Sequence, residues 1–120
     1  MRVLVYGTLK RGGALSPNMS AGTYLGEYST EPEFTLVNLG WFPGLIHRGS
    51  TSVQGEVYEM PDSSLSLLDR IEGYPSLYDR EEIETPYGRA WVYVYNSGHR
   101  ELDTFNVIDN GVWENSGDRG

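Results

Sequence analysis

The run Val3-Leu4-Val5-Tyr6, closed by Gly7, constrains this chain more than any other stretch. Four consecutive apolar or aromatic residues, rich in Val, read as a short central strand buried on both faces, because a strand with one wet face would alternate. Gly7 ends it. A glycine admits backbone angles closed to other residues and lets the chain come close to a ligand, and the Thr8 and Leu9 amides that follow have no sheet partner. Unpaired amides at a strand's end make a cradle for an anion or an oxyanion. The same residues also describe a tight turn into a hairpin loop, and local physics leaves both readings open.

Further strands are predicted downstream. Tyr24 to Tyr28 and Phe34 to Leu39 alternate or carry β-branched and aromatic residues between breakers. Leu45 to His47 predicts a brief strand, Arg48 to Ser52 a polar turn, and Val53 to Met60 a longer strand with Val53, Gly55, Val57 and Glu59 on one face. Tyr78 to Thr85 and Arg89 to Tyr95 read as a hairpin across Pro86-Tyr87-Gly88, with Trp91, Tyr93 and Tyr95 on one face and Val92 and Val94 on the other. Glu81, Glu82 and Glu84 mark a solvated edge that discourages strand addition. A short strand is expected near Asn106 to Asp109. Gly12 to Gly22 reads as a loop with one helical turn. Trp41-Phe42-Pro43-Gly44 sets two aromatics on a turn that either caps the core or lines a pocket.

The one clear helix signal starts at Pro61-Asp62-Ser63-Ser64, where short oxygen-bearing side chains can accept orphan amide hydrogen bonds, and runs to Ile71 or Glu72. At helical spacing Leu65, Leu67, Leu68 and Ile71 form the apolar arc. Glu72 falls about 70° from the arc's centre, whereas Asp69 and Arg70 point well outside it. Gly73 and Tyr74-Pro75 then stop the helix. A carboxylate on the flank of a buried face, at the negative end of the helix dipole, has its ionised form disfavoured and its pKa moved toward that of a proton shuttle. An exposed helix-end Glu in water is the competing reading.

A chain of 120 residues suits one domain able to bury roughly two thirds of its unfolded surface. The expected boundaries are a folded unit over 1–113 and a flexible end over 114–120. Cysteine is absent, which removes disulfides, thiol nucleophiles and thiolate metal sites. His47 and His99 occur singly, with no triad or metal-ligand spacing, so no metal and no cofactor are expected. Nine basic against seventeen acidic residues give a net charge of -8, which opposes nucleic acid and anionic membranes. No apolar run is long enough for a span or a signal segment, and a cytoplasmic location is expected.

Four ordered blocks carry a more specific message. Tyr6-Gly7-Thr8-Leu9-Lys10-Arg11-Gly12, Phe34 to Gly44, Gly55-Glu56-Val57-Tyr58, and Leu68-Asp69-x-x-Glu72-x-x-Pro75-x-x-Tyr78-x-Arg80 together resemble the γ-glutamylcyclotransferase-like family. The likeness extends to about Tyr95 and looks closer to the γ-glutamylamine branch than to the glutathione-specific one. It implies an α+β fold: a closed or nearly closed small mixed β-barrel of about six or seven strands, with one main helix between the fifth and sixth. It also implies a cofactor-independent enzyme that cyclises a γ-glutamyl group to 5-oxoproline and releases the amine. By the resemblance, Glu72 is the catalytic acid/base, the Gly7, Thr8 and Leu9 amides hold the substrate, Tyr6 and Tyr78 match binding positions, and the partner is a small γ-glutamyl molecule. A non-catalytic binding or regulatory domain of the same fold is the alternative, because fold does not fix activity.

Overall fold

The computed structural model describes residues 1–115. Its elements are β1 (Arg2–Val5), β2 (Thr23–Ser29), β3 (Phe34–Asn38), β4 (Pro43–Thr51), β5 (Gln54–Glu59), α1 (Leu65–Glu72), β6 (Tyr78–Thr85), β7 (Gly88–Tyr95) and β8 (Asn106–Val107). Short 3₁₀ turns occupy Ser16–Met19, Asp62–Ser64 and Leu102–Thr104. Five strands form one sheet in the order β2-β5-β1-β7-β6, with β1 antiparallel to β5 and parallel to β7.

Position explains composition in β1. As the middle strand it has both faces covered, which is why its side chains do not alternate in polarity. Val3 and Val5 join Tyr58, Met60, Tyr93 and Leu68 beneath α1, while Leu4 and Tyr6 join Val57, Val92, Phe34, Leu36 and Leu45 on the opposite face. Each fully buried aliphatic side chain contributes about 1.5–3 kcal/mol, so β1 is the axis of both cores. The expected split of the last long strand holds: Tyr93 packs on the helix side, Val92 and Val94 on the other.

The opposite face is covered by a second, three-stranded sheet in the order β4-β3-β8. This corrects the expected barrel. Among the described residues no ladder joins the two sheets, and β3 takes β8 rather than an edge of the large sheet as its second partner. The architecture is a mixed α+β fold of two packed sheets with one main helix, placed between the fifth and sixth strands. Of the polar turn expected at Arg48 to Ser52, Arg48 to Thr51 belong to β4, with a register shift opposite Phe34 and Thr35. The acidic β6 is an edge strand, as its charges require.

The start of α1 also differs from expectation. No side chain caps it; the Asp62 carboxylate instead takes the Met1 ammonium at 3.1 Å. Leu67 stays 38% exposed, and only Leu68 is fully buried. The far end is better fixed. Gly73 adopts a left-handed conformation, its amide bonds to Arg70 O, and the Tyr74 amide bonds to Asp69 O, the two bonds of a Schellman motif. Glu72 is therefore the last residue before a locked turn. No helix among the described residues is long and apolar enough to cross a membrane. The flexible end expected at 114–120 falls outside the described residues from 116 onward.

Candidate active site

The exit of β1, the last turn of α1, the β3–β4 turn and the start of β6 converge on one cavity of about 300 Å³. All six residues singled out from the sequence line it: Glu72, Tyr6, Gly7, Thr8, Leu9 and Tyr78. Of the two readings of the Trp41-Phe42-Pro43-Gly44 turn, the lining role applies to Trp41, Phe42 and Pro43.

The turn after β1 is held from several sides. Lys10 N donates to Gly7 O at 3.0 Å, Leu15 N to Thr8 O at 3.0 Å, and Arg11 N to the buried Glu56 carboxylate at 2.9 Å. The Asn115 amide donates to Gly7 O at 3.1 Å, and Lys10 Nζ reaches Trp113 O at 2.8 Å. The carbonyls of Gly7 and Thr8 are thus engaged, whereas the amides of Gly7, Thr8 and Leu9 have no acceptor among the described residues. Gly7 is required here for room rather than for unusual angles. Its φ is not positive, but a Cβ would sit 2.6 Å from the Pro43 ring.

Glu72 is partly buried, and burial alone pushes its carboxyl up to about 7. No described residue hydrogen-bonds to it, although three tyrosines are within electrostatic reach. Their hydroxyls are committed elsewhere. Tyr6 donates to Tyr93 O at 2.7 Å and accepts from Leu45 N at 3.1 Å; Tyr78 donates to Pro43 O; Tyr93 donates to Asp69 at 2.7 Å. Burial raises the pKa of all three, and Asp69 adds to the rise at Tyr93. They stay neutral donors at any physiological pH, and their donation to these partners leaves the nearby carboxylate unpaired.

Asp69, read from spacing as pointing away, instead faces the β6–β7 hairpin. It accepts from Tyr93 and from Arg80 at 3.0 Å, and Arg80 lies over the Tyr74 and Trp91 rings. Two contributors escaped the sequence reading. Tyr93 lines the cavity, and its place on the helix-facing side of β7 was the available signal. Asn115 braces Gly7 from 108 residues away, and no periodicity announces it.

An unpaired, partly desolvated carboxyl beside free amides can move a proton next to a place where negative charge is held. Comparison with known proteins gives the family. Residues 3–115 match the family described as "Gamma-glutamyl cyclotransferase, AIG2-like". A Vibrio cholerae relative, whose name assigns it provisionally to the gamma-glutamylcyclotransferases, is 42% identical over 111 residues, 92% of this chain and 93% of its own. The gamma-glutamylaminecyclotransferase of Rattus norvegicus is 36% identical over 92 residues, 68% of this chain and 61% of its own. The crystal structure of an AIG2-like protein from Mus musculus superposes with a TM-score of 0.81 at 28% identity, covering 99% of this chain and 91% of that one. With its whole core inside the matched region and its β1 turn and α1 carboxylate facing one cavity, the chain belongs to the gamma-glutamyl cyclotransferase, AIG2-like family.

Proposed function

We propose that the protein cyclises the γ-glutamyl group of a small γ-glutamyl amine or peptide to 5-oxoproline and releases the amine, without a cofactor. The observation that carries this reading is the Glu72 carboxyl, without a partner among the described residues, raised to about 7, and lining the same cavity as the Gly7–Leu9 amides. Ionised Glu72 takes a proton from the substrate's α-ammonium. The freed amine attacks its own γ-carbonyl, an intramolecular closure for which orientation supplies much of the barrier lowering. The Gly7, Thr8 and Leu9 amides hold the α-carboxylate or the developing oxyanion. As the carbon–nitrogen bond to the leaving group breaks, Glu72 returns the proton to the departing amine. The ring nitrogen then sheds its second proton by the same carboxyl, so that one hydrogen stays on the lactam nitrogen and two leave on the amine as ammonium.

Tyr6 and Tyr78 act on this reading as wall and scaffold, since their hydroxyls already serve Tyr93 O and Pro43 O. The test is to incubate the protein with a panel of γ-glutamyl amides and measure 5-oxoproline and free amine together. Equal release of both is expected from the parent, with an acidic limb in kcat/KM near the Glu72 value. A folded Glu72→Gln protein that turns over as fast as the parent would overturn the assignment.

A further inference from the structure

The cavity grades from a buried floor to an exposed mouth, and among the described residues the mouth carries no charge. Tyr6, Gly7, Leu9, Tyr78 and Tyr93 are buried, whereas Leu15, Trp41 and Leu77 are 37%, 91% and 42% exposed. These three come from separate connections: the loop after β1, the β3–β4 turn, and the link from α1 to β6. Single exposed apolar residues are ordinary, but three from three loops around one opening form a patch that water disfavours. Trp41 is carried on a tight turn, with Leu39 N bonded to Phe42 O and Gly40 N bonded to the Asn38 side chain.

The second observation is where the cations are. Among the described residues no Lys, Arg or His lines the cavity, and Glu72 is its only acid. Lys10 and Arg11, next in sequence to the amide cradle, are held elsewhere: Lys10 Nζ on Trp113 O, and the Arg11 guanidinium over the Tyr24 ring with Nε 3.5 Å from Glu56. A γ-glutamyl group can satisfy its α-carboxylate on the floor with backbone amides. A second carboxylate on the leaving amine would have to shed water against Trp41 and Leu77, with no cation among the described lining residues to meet it, in a protein of net charge -8.

Resting on the cyclotransferase reading, we infer that the amine released here bears an alkyl or aryl group with no charge of its own, and that Leu15, Trp41 and Leu77 select that group. Amino acids, which carry their own carboxylate, are disfavoured as leaving groups. So are diamines, whose distal ammonium would be stripped of water at the same apolar rim.

The discriminating experiment compares γ-glutamylbenzylamide, γ-glutamylglycine and the mono-γ-glutamyl amide of 1,4-diaminobutane. Turnover is measured on the parent, and binding by calorimetry on the Glu72→Gln protein. The benzylamide should exceed the other two at least tenfold in kcat/KM and in affinity, and Trp41→Ala should cut both ratios at least threefold. Turnover that favours the glycine or diamine compound, or ratios that Trp41→Ala leaves unmoved, would overturn the inference while leaving the cyclotransferase reading intact. Tenfold tighter binding of the benzylamide with no 5-oxoproline formed from any compound would support the apolar mouth and defeat the cyclotransferase reading.

Discussion

Among the described residues one carboxylate, Glu72, stands without a partner between apolar and tyrosine walls in the cavity at the end of β1; in the groove beside β4 and β6 the carboxylates are many, wet and paired. There His47 Nδ1 lies 2.7 Å from Glu81, its Nε2 lies 3.4 Å from Glu33, and its ring stacks on Phe34 with centroids 4.3 Å apart. Glu82 and Glu84 line the same groove, and both come near the exposed Arg89. The two regions share a residue type and differ in the supply of water and donors. In the groove a glutamate's charge is solvated and shared. At Glu72 solvent is reduced, and each neighbouring hydroxyl has been given a carbonyl or Asp69 to bond instead. Burial alone raises the Glu72 carboxyl, and the neighbouring hydroxyls, bonded elsewhere, do not offset it.

The sharpest way to break this comparison is to neutralise one carboxylate from each region. Glu72→Gln should lower kcat/KM by about a thousandfold, the range for loss of a general acid/base. Glu81→Gln should leave 5-oxoproline formation within about twofold of the parent, because an exposed ion pair contributes little. Comparable losses from both would dissolve the distinction.

Stability should move the other way. Glu72 has its folded pKa raised to about 7, so the folded state binds a proton that the unfolded chain has already released above about pH 4.5. The resulting cost to the parent is absent below that pH, grows between about 4.5 and 7, and is constant above. Glu72→Gln should therefore be more stable than the parent by about 2–3 kcal/mol at pH 8 and no more stable at pH 4, read from paired denaturant titrations. A gain of the same size at both pH values would show that the carboxyl is not desolvated.

Asp69, one turn before Glu72, sharpens the contrast within a single helix. It takes the Tyr93 hydroxyl and Arg80, both within hydrogen-bond distance, and these side chains are mostly buried. Asp69→Ala should cost about 2 kcal/mol, by leaving a partly buried guanidinium without its partner. It should also free the Tyr93 hydroxyl, already within electrostatic reach of Glu72, and so shift the acidic limb of kcat/KM below the parent's value. Loss of stability with no movement of that limb would confine Asp69 to a purely structural part.

Which of these features the sequence could reveal follows from how local their causes are. β1 was legible because burial on both faces needs only an unbroken apolar run, and Val3 to Tyr6 supplies it. The position of Glu72 was legible because helical spacing fixes its offset from Leu68, and all six residues picked out line one cavity. Asp69 was misread because the hairpin that surrounds it arrives later in the chain, and a side chain outside the arc of one helix can still be inside the fold. The barrel failed for a similar reason. Whether β3 closes onto the large sheet depends on its pairing with β8, which rests on two residue pairs, Val37 with Val107 and Asn38 with Asn106. Gly7 lines the cavity, but the constraint on it is not the expected one: it is the Pro43 ring, brought there by β4.

The smallest effect belongs to the groove itself. His47 is exposed, and both of its ring nitrogens face carboxylates across solvent-accessible space. Coulomb attraction in that setting is weakened by water and salt and is offset by the side-chain entropy lost in holding the pair. Its stack on Phe34 matters little to the core, since Phe34 is buried chiefly among Leu36, Leu45 and Val53. His47→Gln should change unfolding free energy by less than about 1 kcal/mol and leave turnover unaltered, with whatever difference exists shrinking as salt is raised. A loss approaching that of Asp69→Ala, unaffected by salt, would mean that the groove also holds its charges away from water, and the contrast with Glu72 would then rest on pairing alone.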